Sequence, residues 1–505
     1  MNSAPHWLEP DPEHLVSEIL IEFKSTGTCP RDRVSKLVAL AVSDDERTAE
    51  RASRAFFTSL VEPLADSFQP AAVSLYNQAF AQLVQACRNT ARGRPLDEKL
   101  REFGLLSEAD VLARAERPRT NAPWSGLQPS KLTSEPSRIL VLSRVTLGAD
   151  VAITSAIVER LMTTFSQAEI VLVGGRKASE LFGGDPRVTF QEISYPAKAD
   201  ALDRLLAWIP LVDRVRELTG VGEAAGTTAL PGSDWLIVDP DSRLTQLGLL
   251  PLVPERGDLR AGRAGYLFFP SREYHHESSA SLAELTSSWL DEVLGLAPPV
   301  TPSVSLTSDD LQAGRALADG LRREGHPVIA INFGVGGNPA KRVGTEFECQ
   351  LVSALLEAGS TILLDKGAGA EEAQRAEDII EFAKNRSTGS LKVVEIDQDS
   401  LSQTSSGARI EADLIVWNGR IGLLAALIGA SDLYIGYDSA GQHIAAALGV
   451  PCVDVFAGFS SRRMLDRWRP TGKAETRVVI VEQGMSEDEV LTQTLRHAQE
   501  LLRAG

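Results

Sequence analysis

The chain has 505 residues, 43% hydrophobic and 24% charged, with 51 basic against 68 acidic residues for a net charge of −17. At ~100–200 residues per domain, that length calls for about three domains. The acidic balance disfavours nucleic acid, whose binders present a basic face that replaces phosphate counterions.

Cys29, Cys87, Cys349 and Cys452 form no C-x-x-C pair, which argues against a zinc site or a disulfide framework and fits a reducing cytosol. The segment from Met1 to Glu13 has no basic start followed by an apolar stretch, and no later segment approaches the roughly 20 apolar residues that span a bilayer. A cytoplasmic protein is expected, with any membrane contact peripheral at the inner face.

Residues 1–120 read as an all-α domain. Val73, Tyr76, Phe80, Leu83, Val84 and Cys87 fall on one face of a helix, and similar patterns run from Val34 to Val42 and from Ala55 to Leu64. Cys87 is then core rather than reactive, and these helices are a candidate surface for homo-oligomers. A stretch rich in Pro, Ser, Thr and Asn, from Arg117 to Ser137, predicts a linker over 121–136.

The pattern then changes to short apolar runs alternating with helices. Arg138 to Ser143, Glu169 to Val173 and Asp234 to Asp239 read as strands, with a helix from Val151. After the Pro-rich joint from Leu296 to Pro302, strands are expected at Pro327 to Phe333, Ser360 to Asp365, Leu391 to Ile396, Asp432 to Gly436 and Val450 to Phe456. Continuous apolar strands between helices imply parallel sheet covered on both faces. The fold class is therefore α/β, with one doubly wound domain over 137–320 and a second over 321–505. Ligands in such sheets bind beyond the carboxyl ends of the strands. No strand is followed by G-x-G-x-x-G, which disfavours a dinucleotide dehydrogenase.

The stretch from Gly429 to Pro451 carries the most information. It reads as a buried strand, a tight turn with Asp438 and Ser439, and a small-residue helix. A helix N-terminus leaves backbone N–H groups unpaired and carries roughly half a positive charge, so it suits a phosphate or diphosphate.

Four motifs in order resemble glycosyltransferase family 9, the ADP-heptose:lipopolysaccharide heptosyltransferases, over roughly residues 137–500. Ile139 to Ile157, with Asp150-Val151, resembles the family's opening, and Ala149 stands where the family has glycine. Ile329 to Phe347, with Gly334, Lys341 and Arg342, resembles its strand, phosphate loop and Lys-x-Trp-Pro element. Gly419-Arg420-Ile-Gly-Leu423 resembles its Gly-Lys-Thr-Ser-Leu turn. Asp438-Ser439-Ala440-Gly441-Gln-His443 resembles its Asp-Ser-Gly-x-x-His box, with Ala440 at a family glycine.

The resemblance implies a GT-B architecture of two Rossmann-like domains, acceptor-binding then donor-binding, and inverting transfer without a metal or other cofactor. The substrates implied are a nucleotide-sugar donor, ADP-heptose first, and a glycan or glycolipid acceptor such as a lipopolysaccharide core. Asp150, placed at the end of the first strand of the acceptor half, is the candidate general base; its structural alternative is a helix N-cap. Lys341 or Arg342 would neutralise the diphosphate, with N–H groups after Asp438 and Ser439 completing the cradle. Gly334, Gly419, Arg420, Ala440, Gly441 and His443 complete the donor set, with His443 read as structural more than catalytic.

On the acceptor side, Asp241 and Arg243 follow a strand, and Arg243 would hold a carboxylate or phosphate. Downstream, Arg256, Arg260, Arg263 and Arg272 interleave with Tyr266, Phe268 and Phe269 ahead of His275 and His276, as an anion-binding face or a solvated loop. Arg462, Arg463, Arg467 and Arg469 form a further basic cluster, read as a membrane-facing or solvated helix face with Trp468 inward.

Two alternatives stand beside a glycan acceptor. Some heptosyltransferase relatives that modify protein hydroxyls also carry an added helical domain, although with a cysteine-based metal finger that this chain lacks. A noncatalytic nucleotide-sugar-binding or scaffold protein would fit the two glycine-to-alanine departures.

Overall fold

A computed structural model describes residues 11–120, 135–220, 235–253, 264–323, 325–336, 338–367, 369–387, 389–398 and 410–504. Two sheets organise these residues. The first contains β1 (Arg138–Leu142), β2 (Glu169–Gly174), β3 (Val188–Glu192), β4 (Trp235–Asp239) and β5 (Ala264–Phe268), in the order β3-β2-β1-β4-β5. The second contains β6 (Val328–Asn332), β7 (Thr361–Asp365), β8 (Val393–Asp397), β9 (Leu414–Asn418), β10 (Leu433–Tyr437), β11 (Cys452–Phe456) and β12 (Thr476–Ile480), in the order β12-β11-β10-β6-β7-β9-β8. The described pairings are parallel. That agrees with the continuous apolar runs, since a strand buried on both faces needs no polar alternation.

The chain divides into two compact units, Met1–Val145 with Glu192–Ser278, and Thr146–Gln191 with Ser279–Gly505. In the first unit the N-terminal region is helical: Pro12–Thr26, Arg31–Ala41, Glu46–Arg54 continuing through a π-helical turn at Ala55–Val61 into Glu62–Ala65, then Pro70–Arg88, Arg94–Glu102 and Glu108–Thr120. All six residues of the expected face in Pro70–Arg88 are buried. Phe56 meets Phe57 and Phe80 edge-on at centroid distances of 5.4 Å, and Tyr76 stacks on Phe80 at 4.7 Å. The last helix runs past Pro118 to Thr120, so the linker begins later than Arg117. Residues 121–134 of that linker lie outside the described residues.

These helices pack on one another and also touch the rest of the first unit. The Arg204 guanidinium lies 3.8 Å from the centroid of Phe57, and the Ala201 N–H donates to Ser53 Oγ at 3.2 Å. Arg92 bridges Asp200 and Asp203, and Arg216 pairs with Glu102. The N-terminal helices thus share one compact unit with β1, β4 and β5.

In the second unit, Ile435 and Tyr437 of β10 and Val453 and Val455 of β11 enter one apolar core with Phe347, Leu351, Val490 and Leu501. Alternation sends Tyr434, Gly436, Cys452 and Asp454 to the opposite face, and the helix Ala440–Leu448 packs against β10 and β11. The turn between β10 and that helix lies at the carboxyl end of the strand, where an open α/β sheet binds ligands.

Candidate functional site

The helix Ala440–Leu448 begins after Ser439, whose side chain makes no capping bond. An uncapped first turn leaves N–H groups available to an anion. Beside it, Lys341 Nζ donates to Asp438 Oδ2 at 2.5 Å, and Gln442 Nε2 donates to Asp438 Oδ1 at 2.7 Å. Lys341 is delivered by a 3₁₀ turn, Pro339–Lys341, which Asn338 initiates by accepting from the Ala340 N–H. The lysine, Asp438 and the helix start are therefore brought together as the sequence reading expects.

Arg342 is placed differently. Its guanidinium forms two 2.9 Å bonds to Glu348, a carboxylate with 0% exposure, and the Tyr437 hydroxyl donates to the same Glu348 at 3.0 Å. Arg342 is committed to the buried Glu348 carboxylate, leaving Lys341 as the cation beside the Asp438 turn.

The glycines explain themselves by what a side chain would meet. A Cβ on Gly441 would lie 2.0 Å from the Tyr434 hydroxyl, and one on Gly436 would lie 2.4 Å from it. Ala440, at the place of a family glycine, is the first residue of the helix, and the glycine that close packing requires here is Gly441. A Cβ on Gly419 would strike the Trp417 ring at 2.3 Å. Arg420 forms a two-bond ion pair with buried Asp310 at the start of the helix Ile421–Gly429, which ties it to structure. The Gly334 N–H donates to Asn332 Oδ1 at 2.9 Å, and Asn332 Nδ2 donates to Asp365 at 2.5 Å. Burial raises the Asp365 carboxyl to about 6.

Asp150 lies inside a helix and not at a strand end. β1 stops at Leu142, and the chain enters a helix at Leu147–Ala149 that passes through a π turn, Asp150–Thr154, into Ser155–Thr164. Asp150 has φ −65° and ψ −41°, so it is not the N-cap, a position held by Thr146. Ala149 is helical at φ −70°, where alanine is favoured over glycine. The Thr154 hydroxyl donates to Asp150 Oδ1 at 2.8 Å, and Asp150 is buried.

This helix packs on Ala440–Leu448. The close approach is at Gly148, where a Cβ would lie 3.1 Å from His443 Cδ2 and 3.5 Å from Ala440 Cα. His443 is buried, edge-on to Trp468 at 6.1 Å, and desolvation with the nearby Lys341 charge lowers its imidazole to about 3. Both effects favour the neutral imidazole, which packs between helices.

Sequence reasoning missed Asp454 on β11. Its side chain has 0% exposure, and neither carboxyl oxygen has a hydrogen-bond partner among the described residues. Its pKa is raised well above the usual carboxylate range by burial and by the charge of Asp438. The available signal was a single acidic residue inside the apolar run Val450 to Phe456.

In the first unit, Asp241 takes φ 65° and is fully buried, accepting from Arg272 Nε at 2.9 Å and Ser271 Oγ at 3.0 Å. Arg272 lies 4.5 Å from the centroid of Tyr76, so it belongs to the interior and not to an anion-binding face. Arg243 is partly exposed, 3.5 Å from Glu62. Asp239 accepts from the Ser242 N–H, Thr245 and Tyr266, yet burial raises it to about 6. Tyr266 and Phe268 lie on β5 and are buried. Arg256, Arg260 and Arg263 lie outside the described residues. Among the second unit's basic residues, Arg467 is buried and donates to the Ala280 carbonyl at 2.5 Å, and Arg469 pairs with Glu284, so this cluster is not a free basic face.

Among the described residues no helix is long and apolar enough to cross a membrane. No protein-family model and no curated protein matches the chain. Solved structures do. The chain is similar to a family 9 glycosyl transferase from Veillonella parvula, with 16% identity, 74% of this chain and 98% of that one covered, and a TM-score of 0.47. It is similar to the E. coli ADP-heptose lipopolysaccharide heptosyltransferase II, with 15% identity, 73% and 99% covered, and a TM-score of 0.46. It is also similar to the E. coli heptosyltransferase WaaC with ADP, with 14% identity, 71% and 99% covered, and a TM-score of 0.47.

Proposed function

We propose that this protein is a GT-B glycosyltransferase of the heptosyltransferase kind, moving a sugar from a nucleoside-diphosphate donor to a hydroxyl acceptor with inversion. One observation carries the reading. Within a single compact unit, the helix bearing Asp150 packs on the helix whose N-terminus carries Asp438, Ser439 and the Lys341 ion pair. A carboxylate and an anion cradle thus meet through Gly148 and His443.

The chemistry assigns their roles. Asp150 takes the proton from the acceptor hydroxyl as it attacks the anomeric carbon. The bond from that carbon to the diphosphate breaks, and the departing charge falls to Lys341 and the N–H groups at the start of Ala440–Leu448. Those groups supply positive charge without a resident metal or other cofactor. The Thr154 hydroxyl orients the Asp150 carboxylate. ADP-heptose as donor and a cell-envelope glycan as acceptor follow from the motif resemblance, and a cytoplasmic site of action from the scattered cysteines. Arg243, the partly exposed cation of the first unit, is the residue proposed to meet an anionic acceptor.

The test is the thermal midpoint with ADP, UDP, GDP, CMP and ADP-heptose. A ligand at about a hundred times its Kd stabilises by roughly 2.7 kcal/mol. Selective stabilisation by ADP and ADP-heptose is expected; selectivity for another nucleotide changes the donor, and no shift with any removes the donor-binding reading.

A further inference from the structure

Asp454 stands out among the buried polar groups of the second unit because neither of its oxygens is satisfied. β10 and β11 are in register at Gly436 and Asp454, two residues before Asp438. Gly436 has no side chain, so the space beside Asp454 on that face holds the Tyr434 hydroxyl, which interacts with the Ser439 side chain, and Gln442 Oε1 is buried nearby without a partner. An orphaned polar group in a native interior calls for an explanation. Here the orphans gather around the turn that also holds the Lys341–Asp438 pair.

We propose that Asp454 is a positioning residue for the donor diphosphate: buried beneath the helix Ala440–Leu448 with both oxygens unsatisfied, and paired in register with Gly436 two residues before Asp438, it sets by its ionisation how readily the turn accepts an anionic ligand. The argument rests on the donor-binding reading above. Two ionised carboxylates sharing one ammonium would give the turn a net negative charge, and a buried site screens that charge poorly. With Asp454 protonated, the diphosphate can replace Asp438 on Lys341. When Asp454 loses its proton, the same exchange brings an anion toward two carboxylates.

The surrounding groups leave Asp454 as the one whose state changes the turn. Tyr434 on β10 and Cys452 on β11 are raised by burial, the thiol to about 12, and His443 on the covering helix is neutral. From β12, Thr476 and Val478 share the face through their register with Cys452 and Asp454, and neither titrates. Asp365, reached through Asn332 on β6, is raised to about 6 and is common to every variant compared below. Asp438 and Lys341 are the charges that act on Asp454 from the turn.

The experiment is titration calorimetry of ADP against the full-length protein and Asp454→Asn from pH 5.5 to 9, in buffers of differing ionisation enthalpy. Wild type is expected to lose affinity as pH rises, with proton uptake on binding at the alkaline end, and the asparagine form to stay level over the same range. A coupling of one pKa unit appears as about a tenfold change in Kd. Should Asp454→Asn fold poorly, proton uptake by wild type alone decides: binding without uptake at every pH overturns the proposal. Parallel profiles for the two proteins overturn it too. If ADP-heptose and all four nucleotides fail to bind either protein at any pH, the donor-binding reading falls and this inference with it.

Discussion

The Lys341 ammonium lies 2.5 Å from Asp438 Oδ2, with Lys341 at 20% and Asp438 at 4% side-chain exposure. The cation proposed to meet the diphosphate is thus held by a carboxylate of the same turn, which fixes its position and opposes its use. Lys341→Ala should weaken ADP binding by about one to two orders of magnitude, in line with loss of a charge-assisted contact of ~1.5–3 kcal/mol. It should also leave Asp438 uncompensated. Chemical denaturation should therefore show Lys341→Ala less stable than Lys341→Ala/Asp438→Asn, and equal stabilities would mean that the pair does not exist in solution.

Asp150 is proposed to remove a proton and to hold no part of the donor. Asp150→Asn should then reduce transfer by about 10²–10⁴-fold, the usual contribution of a positioned base, while ADP still raises the thermal midpoint. Normal turnover in a folded Asp150→Asn protein would falsify the base assignment. Thr154→Val removes the hydroxyl that donates to Asp150 Oδ1 and should lower turnover while ADP still raises the thermal midpoint, because the carboxylate loses a group that orients it.

Arg342 and Lys341 are adjacent in sequence and both resemble donor-site cations, but they separate in the structure. Arg342 neutralises Glu348, which also accepts from Tyr437. Breaking such a buried pair by removing one partner typically costs about 3–5 kcal/mol; Arg342 is 17% exposed at its side chain, so Arg342→Ala should lose about 2–4 kcal/mol. Equilibrium urea denaturation measures this, and Glu348→Gln added to Arg342→Ala should recover part of the loss. An unchanged urea midpoint with weakened ADP binding would return Arg342 to the donor site.

Much of the fold was legible because buried parallel strands announce themselves as apolar runs. β1, β2, β4, β6, β7, β8, β10 and β11 fall within a residue or two of their expected bounds. β3 and β12 were not read; both are edge strands that mix polar residues with apolar ones, Val-Thr-Phe-Gln-Glu and Thr-Arg-Val-Val-Ile. β5 was hidden by the arginines before it, which drew its aromatic residues into a basic surface reading. β9, Leu-Ile-Val-Trp-Asn, meets the same apolar criterion and is passed over in favour of the Gly419-Arg420 turn that follows.

At the site, residue types were legible and commitments were not. Sequence identifies Arg342, Arg420 and Asp241 as chemically able groups, but Glu348, Asp310 and Arg272, distant in sequence, occupy them. Gly148, unremarked inside the opening motif, and Asp454, outside every motif, acquire meaning only through what packs against them.

Gly441 offers a packing test independent of ligand. Its missing Cβ would lie 2.0 Å from the Tyr434 hydroxyl, and overpacking of this kind typically costs 1–3 kcal/mol. Gly441→Ala should therefore lower stability by about that amount, and Tyr434→Phe should restore part of it by removing the atom struck. If the single and double variants unfold at the same urea concentration, the ring does not fill that space.

Asp454 supplies the pH test of stability. Its folded pKa is raised, whereas in the unfolded chain it titrates at about 3.9. Between those values the folded protein holds a proton that the unfolded chain has released, so the slope of unfolding free energy with pH is negative and stability falls as pH rises. Asp454→Asn removes this term. The two proteins should differ least below pH 4, and the asparagine form should gain on wild type progressively above it, up to the pH at which folded Asp454 ionises. Thermal midpoints in matched ionic strength from pH 4 to 9 read the gap; a constant gap would mean that Asp454 keeps an ordinary carboxylate and is satisfied in solution.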